Sequence, residues 1–498
     1  MTGRTIKYFI VLSLVLATGC SSVFTTRSQK EELMKVYVSG DYEKAVTLVN
    51  EKAEARADTG DELMWRLEQG KIKFDAGDYR GSLEAFERCE ALIKDFDDRA
   101  AINARAAGAE TGSAFTNQNA LPYRGFNYDR ILINTYKALD YFALEKTSDA
   151  IVELRRAYER QKEAEKAFED EIKKRDEAIK KENEESKKTA NGKSGVTFEG
   201  LEQQHPELKT SFDEMETMSN KAYGNFVNPF VTYMSGMGYL VNHNYPEAAV
   251  DFRNLYKMET SNTLVRQDHV TVSKYLNNEI PKELSEIIPY PYPLDSDIVY
   301  VIFENGLAPA LREQKIQIIL PPPIPTGYSG IAYSDLEFFP LSLGGLEIKD
   351  SLGGSYKTVT VADMNSVVSQ EYKEIFPGMI TRLVVSTIVK EVASYVAQEA
   401  AAQAGGEAAR WGTIVGTSIY KYAFNTADTR CWQTLPREFQ IAHMPRPSDG
   451  ILKISATSPD GTMVSAEPVE VKIEKKRAII HVRQPGQGNI SVRVFEIE

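Results

Sequence analysis

Basic charge is in short supply in this chain: 59 Lys and Arg stand against 71 Asp and Glu, a formal net charge of -12. That excludes a protein that grips nucleic acid through a basic patch, and the acidity is read as serving solubility. Cysteine is scarce too, with only Cys20, Cys89 and Cys431, so there is no disulfide framework. An oxidising compartment would permit one Cys89–Cys431 bridge, but two buried free thiols are the reading taken. The five histidines are His205, His243, His269, His443 and His481, and no two have metal-ligand spacing with each other or with a cysteine. There is no Walker loop and no Gly-x-Gly-x-x-Gly. Gly327-Tyr328-Ser329-Gly330 lacks the second glycine spacing of a nucleophile elbow. No metal and no cofactor are expected.

What is present begins at the first residues. Arg4 and Lys7 precede an apolar run from Tyr8 to Ala17, too short to span a bilayer. It ends Leu16-Ala17-Thr18-Gly19-Cys20-Ser21-Ser22. That ending resembles the lipobox of bacterial lipoproteins, although Ala17 stands where Leu, Val or Ile is usual. The resemblance implies that residues 1–19 are a signal peptide and that Cys20 carries acyl chains such as palmitate. Several chains on one residue anchor stably where one would be marginal. Ser21 after the cysteine, rather than Asp, implies sorting to the outer membrane, facing the periplasm. Residues 20–30 are expected to form a polar tether.

The 498 residues imply two or three domains. Residues 31–285 carry a repeated pattern. Gly77, Tyr79, Ser82, Phe86 and Cys89 have the spacing of the second half of a tetratricopeptide (TPR) repeat, which this stretch resembles. Positions three and four apart share one helix face, so small residues admit a partner helix while Phe86 fills the groove. Cys89 is then a packing residue. Gly40, Tyr42, Ala45 and Val49 fit the same pattern, as do Ala150, Leu154 and Ala157, with Thr147 in the tyrosine place. Tyr245, Ala248 and Phe252 also fit, with His243 in the glycine place. The resemblance implies a binding face built from the first helix of each pair, on the helices preceding Gly40 and Gly77. An inserted antiparallel helical hairpin is expected over about 150–230, with a long charged helix, a loop at 189–206 and a returning helix marked by Leu208, Phe212, Met215, Ala222 and Phe226.

Composition changes at the Pro-rich linker 286–295, with Ile288-Pro289-Tyr290-Pro291-Tyr292-Pro293. Residues 296–435 read as an α+β domain. Strands are expected at Ile298–Phe303, Lys315–Leu320, Leu346–Lys349 and Tyr356–Val361. Helices are expected around Ile380–Tyr395 and Ala408–Tyr422, separated by a break at Gly405-Gly406. Gly412 and Gly416 suit close helix packing in a soluble core. Residues 436–498 read as a closing antiparallel β subdomain. The fold class is therefore an α-helical TPR-like N-terminal domain with an inserted hairpin, followed by an α+β region.

Four further stretches resemble one family of uncharacterised bacterial TPR-like lipoproteins: Tyr123–Arg130, Asn228–Tyr233, Phe303–Pro309 and Ala427–Pro436. The resemblance implies location and architecture but no agreed activity. Asp428, Arg430 and Trp432 are expected to fix a structural junction between the last helix and the final sheet, and catalysis by Cys431 with His443 is the alternative. The function expected is a protein-interaction scaffold or adaptor in envelope assembly or secretion. It would hold the membrane through lipid on Cys20 and bind an envelope protein, with no role for nucleic acid. One alternative is an envelope enzyme acting on cell-wall polymer. Another is a structural lipoprotein that oligomerises through its hairpin; the sequence leaves the oligomeric state open.

Overall fold

The computed structural model describes residues 27–106, 121–189, 196–220, 227–320, 328–424, 426–464, 467–486 and 490–497. Cys20, Ala222 and Phe226 lie outside them. Helices fill the first part: α1 (27–38), α2 (Tyr42–Ala55), α3 (Glu62–Ala76), α4 (Tyr79–Ala106), α5 (Asn127–Ala143), α6 (Thr147–Thr189), α7 (Phe198–Gln204), α8 (Pro206–Ser219), α9 (Pro229–Val241), α10 (Tyr245–Met258) and α11 (Thr263–Tyr275). Among them α1/α2, α3/α4, α5/α6 and α9/α10 form hairpins. Each hairpin turn holds a residue in the left-handed region, two positions before the second helix begins: Gly40 (φ +81°), Gly77 (+88°), Glu145 (+60°) and His243 (+56°). Glycine meets that requirement at least cost. The small positions pack as the spacing expects, with Ala45, Ser82, Cys89, Ala150, Ala157 and Ala248 fully buried. Gly70 leaves room for Phe86, since a Cβ there would lie 2.6 Å from its ring; Gly236 does the same for Phe252 at 3.2 Å.

Two expectations about the helical part need correction. The tether does not reach residue 30: α1 has begun by residue 27, and Lys30 is buried, held by an acid on α3. The returning arm of the inserted hairpin is two helices, α7 and α8, because Pro206 starts a new helix at its first turn.

The second part is α+β. A five-stranded sheet has the order β11-β10-β1-β7-β6, built from β1 (Ile298–Asn305), β6 (Val359–Asp363), β7 (Glu438–Pro445), β10 (Arg477–Gln484) and β11 (Ser491–Ile497). A four-stranded sheet, β5-β4-β8-β9, uses β4 (Gly345–Asp350), β5 (Ser355–Lys357), β8 (Ile451–Thr457) and β9 (Val469–Lys472). β2 (Ala310–Ile319) and β3 (Tyr328–Glu337) pair as a separate two-stranded ribbon. Residues 436–498 therefore do not close the chain as their own subdomain. Their strands are shared between both sheets, and β10 runs parallel to β1. A strand that is apolar on both faces needs a layer on each side, and β1 is buried along its whole length. Its Val299, Val301 and Phe303 face the four-stranded sheet, while Ile298, Tyr300 and Ile302 belong to the core shared with the helices. Three layers result: helices, five-stranded sheet, four-stranded sheet. The linker at 286–295 divides element types, but one core runs across it.

Between β6 and β7 lies α12 (Met364–Phe424), helical straight through Gly405 and Gly406, so the expected interruption is not a non-helical break. Long alanine-rich flanks tolerate two glycines at about 1 kcal/mol each. A straight helix of this length would span roughly 90 Å. Yet Tyr372 near its start bonds Ser334 of β3 at 2.6 Å, and Ala427 just past its end bonds Glu313, the cross-strand neighbour of Ser334. The helix therefore doubles back. Because Glu391 still follows the ribbon to Ser329 (3.0 Å), the reversal lies beyond that residue.

Candidate functional site: the seam between the helices and the sheet

The faces of α1 and α3 that were expected to bind a partner are covered by the chain itself. α1 and α3 run parallel, since Lys30 pairs with Glu68 (3.2 Å) and Tyr37 with Asp75 (2.6 Å). Into this face folds the segment that follows α12. Glu68 accepts the backbone amides of Gln433 (2.8 Å) and Thr434 (3.2 Å) and the Thr434 hydroxyl (2.7 Å). Lys30 donates to the Cys431 carbonyl. Trp432 packs at 5.7 Å from both Phe86 and Tyr136. Gln433 and Thr434 form a turn, so the helices hold a looped segment of their own chain.

Behind it lies a buried ionic cluster. On β1, Glu304 continues the helix-facing row of Ile298, Tyr300 and Ile302, because side chains alternate along a strand. On β10, His481 and Arg483 occupy the corresponding row after Ile479. On α3, Lys71 and Asp75 are one turn apart. The Lys71 ammonium lies 2.5 Å from Asp75 and 2.9 Å from Glu304, above the rings of Tyr136 and Phe74. His481 Nε2 is 3.2 Å from Glu304. Arg483 donates to Tyr37 Oη (3.0 Å) and to the carbonyls of Glu304, Gly306 and Thr434. Burial alone would raise the Glu304 carboxyl, but Lys71, His481 and Arg483 together hold it well below the usual range. Burial drives the Tyr37 phenol up.

The ligand atoms of Asp75, Glu304 and His481 fall within 4.8 Å of one another, the geometry of a metal site. The Lys71 ammonium already lies between the two carboxylates, and with Arg483 it balances their charge. A divalent ion would have to displace a fully buried lysine. The cluster therefore fits an ionic joint better than a metal centre.

A second buried cluster sits at the start of α5. Asp129 accepts the Phe126 amide (2.9 Å) and the Tyr123 hydroxyl (2.6 Å). Glu371 of α12 accepts the Asn127 amide (2.8 Å), the Asn127 side chain (3.1 Å) and the Tyr128 amide (3.3 Å). It thus caps the positive end of the α5 dipole. Burial raises Asp129 to about 7 and Glu371 to about 8.

The expected junction residues do form a junction, but with a different partner. Asp428 takes a two-pronged bond from Arg430 (2.8 and 2.7 Å), and Arg430 also reaches Asp61 of the α2–α3 turn at 3.1 Å. It ties the post-α12 segment to the helices, not to the final sheet. Cys431 and His443 are not brought together. Cys431 Sγ accepts the Leu311 amide (3.4 Å), and burial raises its thiol. His443 is bonded to Asp268 (2.8 Å) and Tyr292 (3.0 Å). Cys89 and Cys431 are both buried and free. The sequence reading missed Lys71, Asp75, Glu304, His481 and Arg483. Their signal was charge placed in phase with apolar strand and helix rows.

No family model, curated protein or solved structure matches this chain. Three of the four stretches singled out in the sequence touch one another: Arg430 lies over the Tyr123 ring, and Ala308 donates its amide to the Leu435 carbonyl (2.9 Å). Tyr123–Arg130 and Ala427–Pro436 meet around Asp61 and α5, Phe303–Pro309 carries Glu304 and Gly306, and Phe230 of Asn228–Tyr233 stacks on Phe439 at 3.9 Å.

Proposed function

We propose that the protein is a lipid-anchored scaffold of the bacterial envelope, held in the outer membrane through Cys20 and facing the periplasm. Its TPR-like helices serve as a chassis, and a protein partner is engaged elsewhere. The observation that carries the placement of the partner site is Glu68 closing on the amides of Gln433 and Thr434. The inner face of the array is already occupied, so partner contact falls to the arm built from distal α6, α7, α8, the β2–β3 ribbon and α12. Against an enzyme stand the burial of the ionisable clusters and the raised Cys431 thiol. Among the described residues, no helix is long and apolar enough to cross a membrane.

The test has two readouts. Metabolic labelling with a palmitate analogue should tag the wild type and not Cys20→Ser. Crosslinking from photoreactive residues on the arm should capture a discrete envelope protein, while the same residue in the α2–α3 turn captures none. Capture only from the repeat turns would reverse the assignment.

A further inference from the structure

We infer that the protein pairs with a second copy of itself, edge to edge, through β9 of the four-stranded sheet. The inference stands apart from the anchoring at Cys20 and from the partner site on the arm, and it uses a different surface from the helical hairpin.

β9 is an open edge, with β8 as its one hydrogen-bonded neighbour. Just beyond it, the Ile473 amide donates to the Gly450 carbonyl (2.8 Å). Backbone groups alternate in direction along a strand, so Val469 and Val471 bond towards β8 as Ile473 does. The amides and carbonyls of Glu470 and Lys472 point away from the sheet and meet no partner among the described residues. The other outer strands of the two large sheets differ. β6 packs against α9 and α11 and β11 against α5, while β5 has only three residues.

The edge carries an apolar margin. Val469 is exposed, on the same side of the strand as Val471 and Ile473, which line the core between the two sheets. Met463 bridges Thr457, and the Val464 amide donates to the Ala456 carbonyl (2.9 Å). Both therefore continue the line of β9 along β8, and both are exposed. An open edge of this kind is a template for a further strand.

The charges select the occupant and the register. Glu470 and Lys472 project from the opposite side of β9 and are exposed. Within the chain they have only loose pairs, Glu470 with Lys453 at 3.7 Å and Lys472 with Glu474 at 3.9 Å. In an antiparallel pair with a twofold axis at Val471, Glu470 lies opposite Lys472 of the second copy, and Lys472 opposite its Glu470. These are the residues whose backbone groups point outward, so each pair exchanges both of its backbone bonds. On the apolar side Val471 meets Val471, and Val469 meets Ile473. A slip of two residues one way sets Glu470 against Glu470, and the other way Lys472 against Lys472. β9 is thus complementary to itself in one register, as a twofold interface requires. Pairing joins two four-stranded sheets into one of eight.

The test uses the purified chain carrying Cys20→Ser, so that no acyl group drives association. Sedimentation should show this parent doubling in mass as its concentration rises from about 1 to 200 µM. Glu470→Lys and Lys472→Glu each set like charges against one another on both sides of the axis, and each should weaken association about tenfold. An equimolar mixture of the two variants restores opposite charges at every pair. It should form a heterodimer at least as strong as the parent dimer, which separates lost pairing from lost folding. A parent that stays monomeric over that range, single variants that dimerise as the parent does, or a mixture no stronger than its components would each overturn the inference.

Discussion

Two buried clusters of acids show opposite solutions to one problem. Glu304 and Asp75 lie in the seam with Lys71, His481 and Arg483, and Glu304 stays ionised because cations surround it. Asp129 and Glu371 lie at the start of α5 with amides and a phenol as their bonded partners, and burial lifts both towards neutrality. Hydrogen bonds and a helix dipole lower a carboxyl, but here desolvation is the larger effect. The first cluster is a permanent ionic joint. The second holds protons near neutral pH, so it links the stability of the α5–α12 contact to pH.

The sharpest way to break the comparison is Lys71→Met. It leaves Asp75 and Glu304 without their shared ammonium, at a cost of about 3–5 kcal/mol. Urea unfolding should show that loss, or the variant should fail to fold. Arg430→Ala comes next: removing the bridge between Asp428 and Asp61 should cost about 2 kcal/mol and lower the folding yield. The loss should be visible as a lower urea midpoint with an unchanged slope.

Glu371→Gln sharpens the comparison through pH. The folded value, about 8, lies above the ordinary 4.5. Its contribution is therefore fully present below about pH 4.5, declines as pH rises, and is lost once pH passes 8. Wild-type stability should fall between pH 5 and 8, and Glu371→Gln should flatten that slope while changing little near pH 5. Denaturant curves across that range measure it; an unchanged slope would remove Glu371 from the account. The smallest effect belongs to Glu145→Gly, which relieves a left-handed turn far from both clusters. A gain of about 0.5–1 kcal/mol is expected, seen as a slight rise in Tm.

The hairpins were legible in the sequence because their packing is local. Phe86 fills the space that Gly70 leaves on the facing helix of the same hairpin, so spacing reveals that contact, although Ser82 also donates to Asp140 (2.7 Å) and Phe86 packs on Trp432. The seam was not legible, because Lys71 meets Glu304 and Glu68 meets Thr434 across more than two hundred residues. The strand expected at Ile298–Phe303 stops one residue short of Glu304, so its charge in the row of Tyr300 and Ile302 was not seen. The parallel pairing of β1 with β10 has no local signal either. The reversal of α12 was half visible: Gly405-Gly406 marked a weak point, but only the shared ribbon contacts of Tyr372 and Ala427 show that the helix returns.

The central claim is that the array clasps its own chain. Hydrogen exchange at the amides of Gln433 and Thr434 tests this most directly. If Glu68 holds both amides in a shared core, they should exchange only through global unfolding, with the same protection as amides in the middle of β1. Exchange by local opening, orders of magnitude faster than in β1, would mean that the inner face opens and is available to a partner.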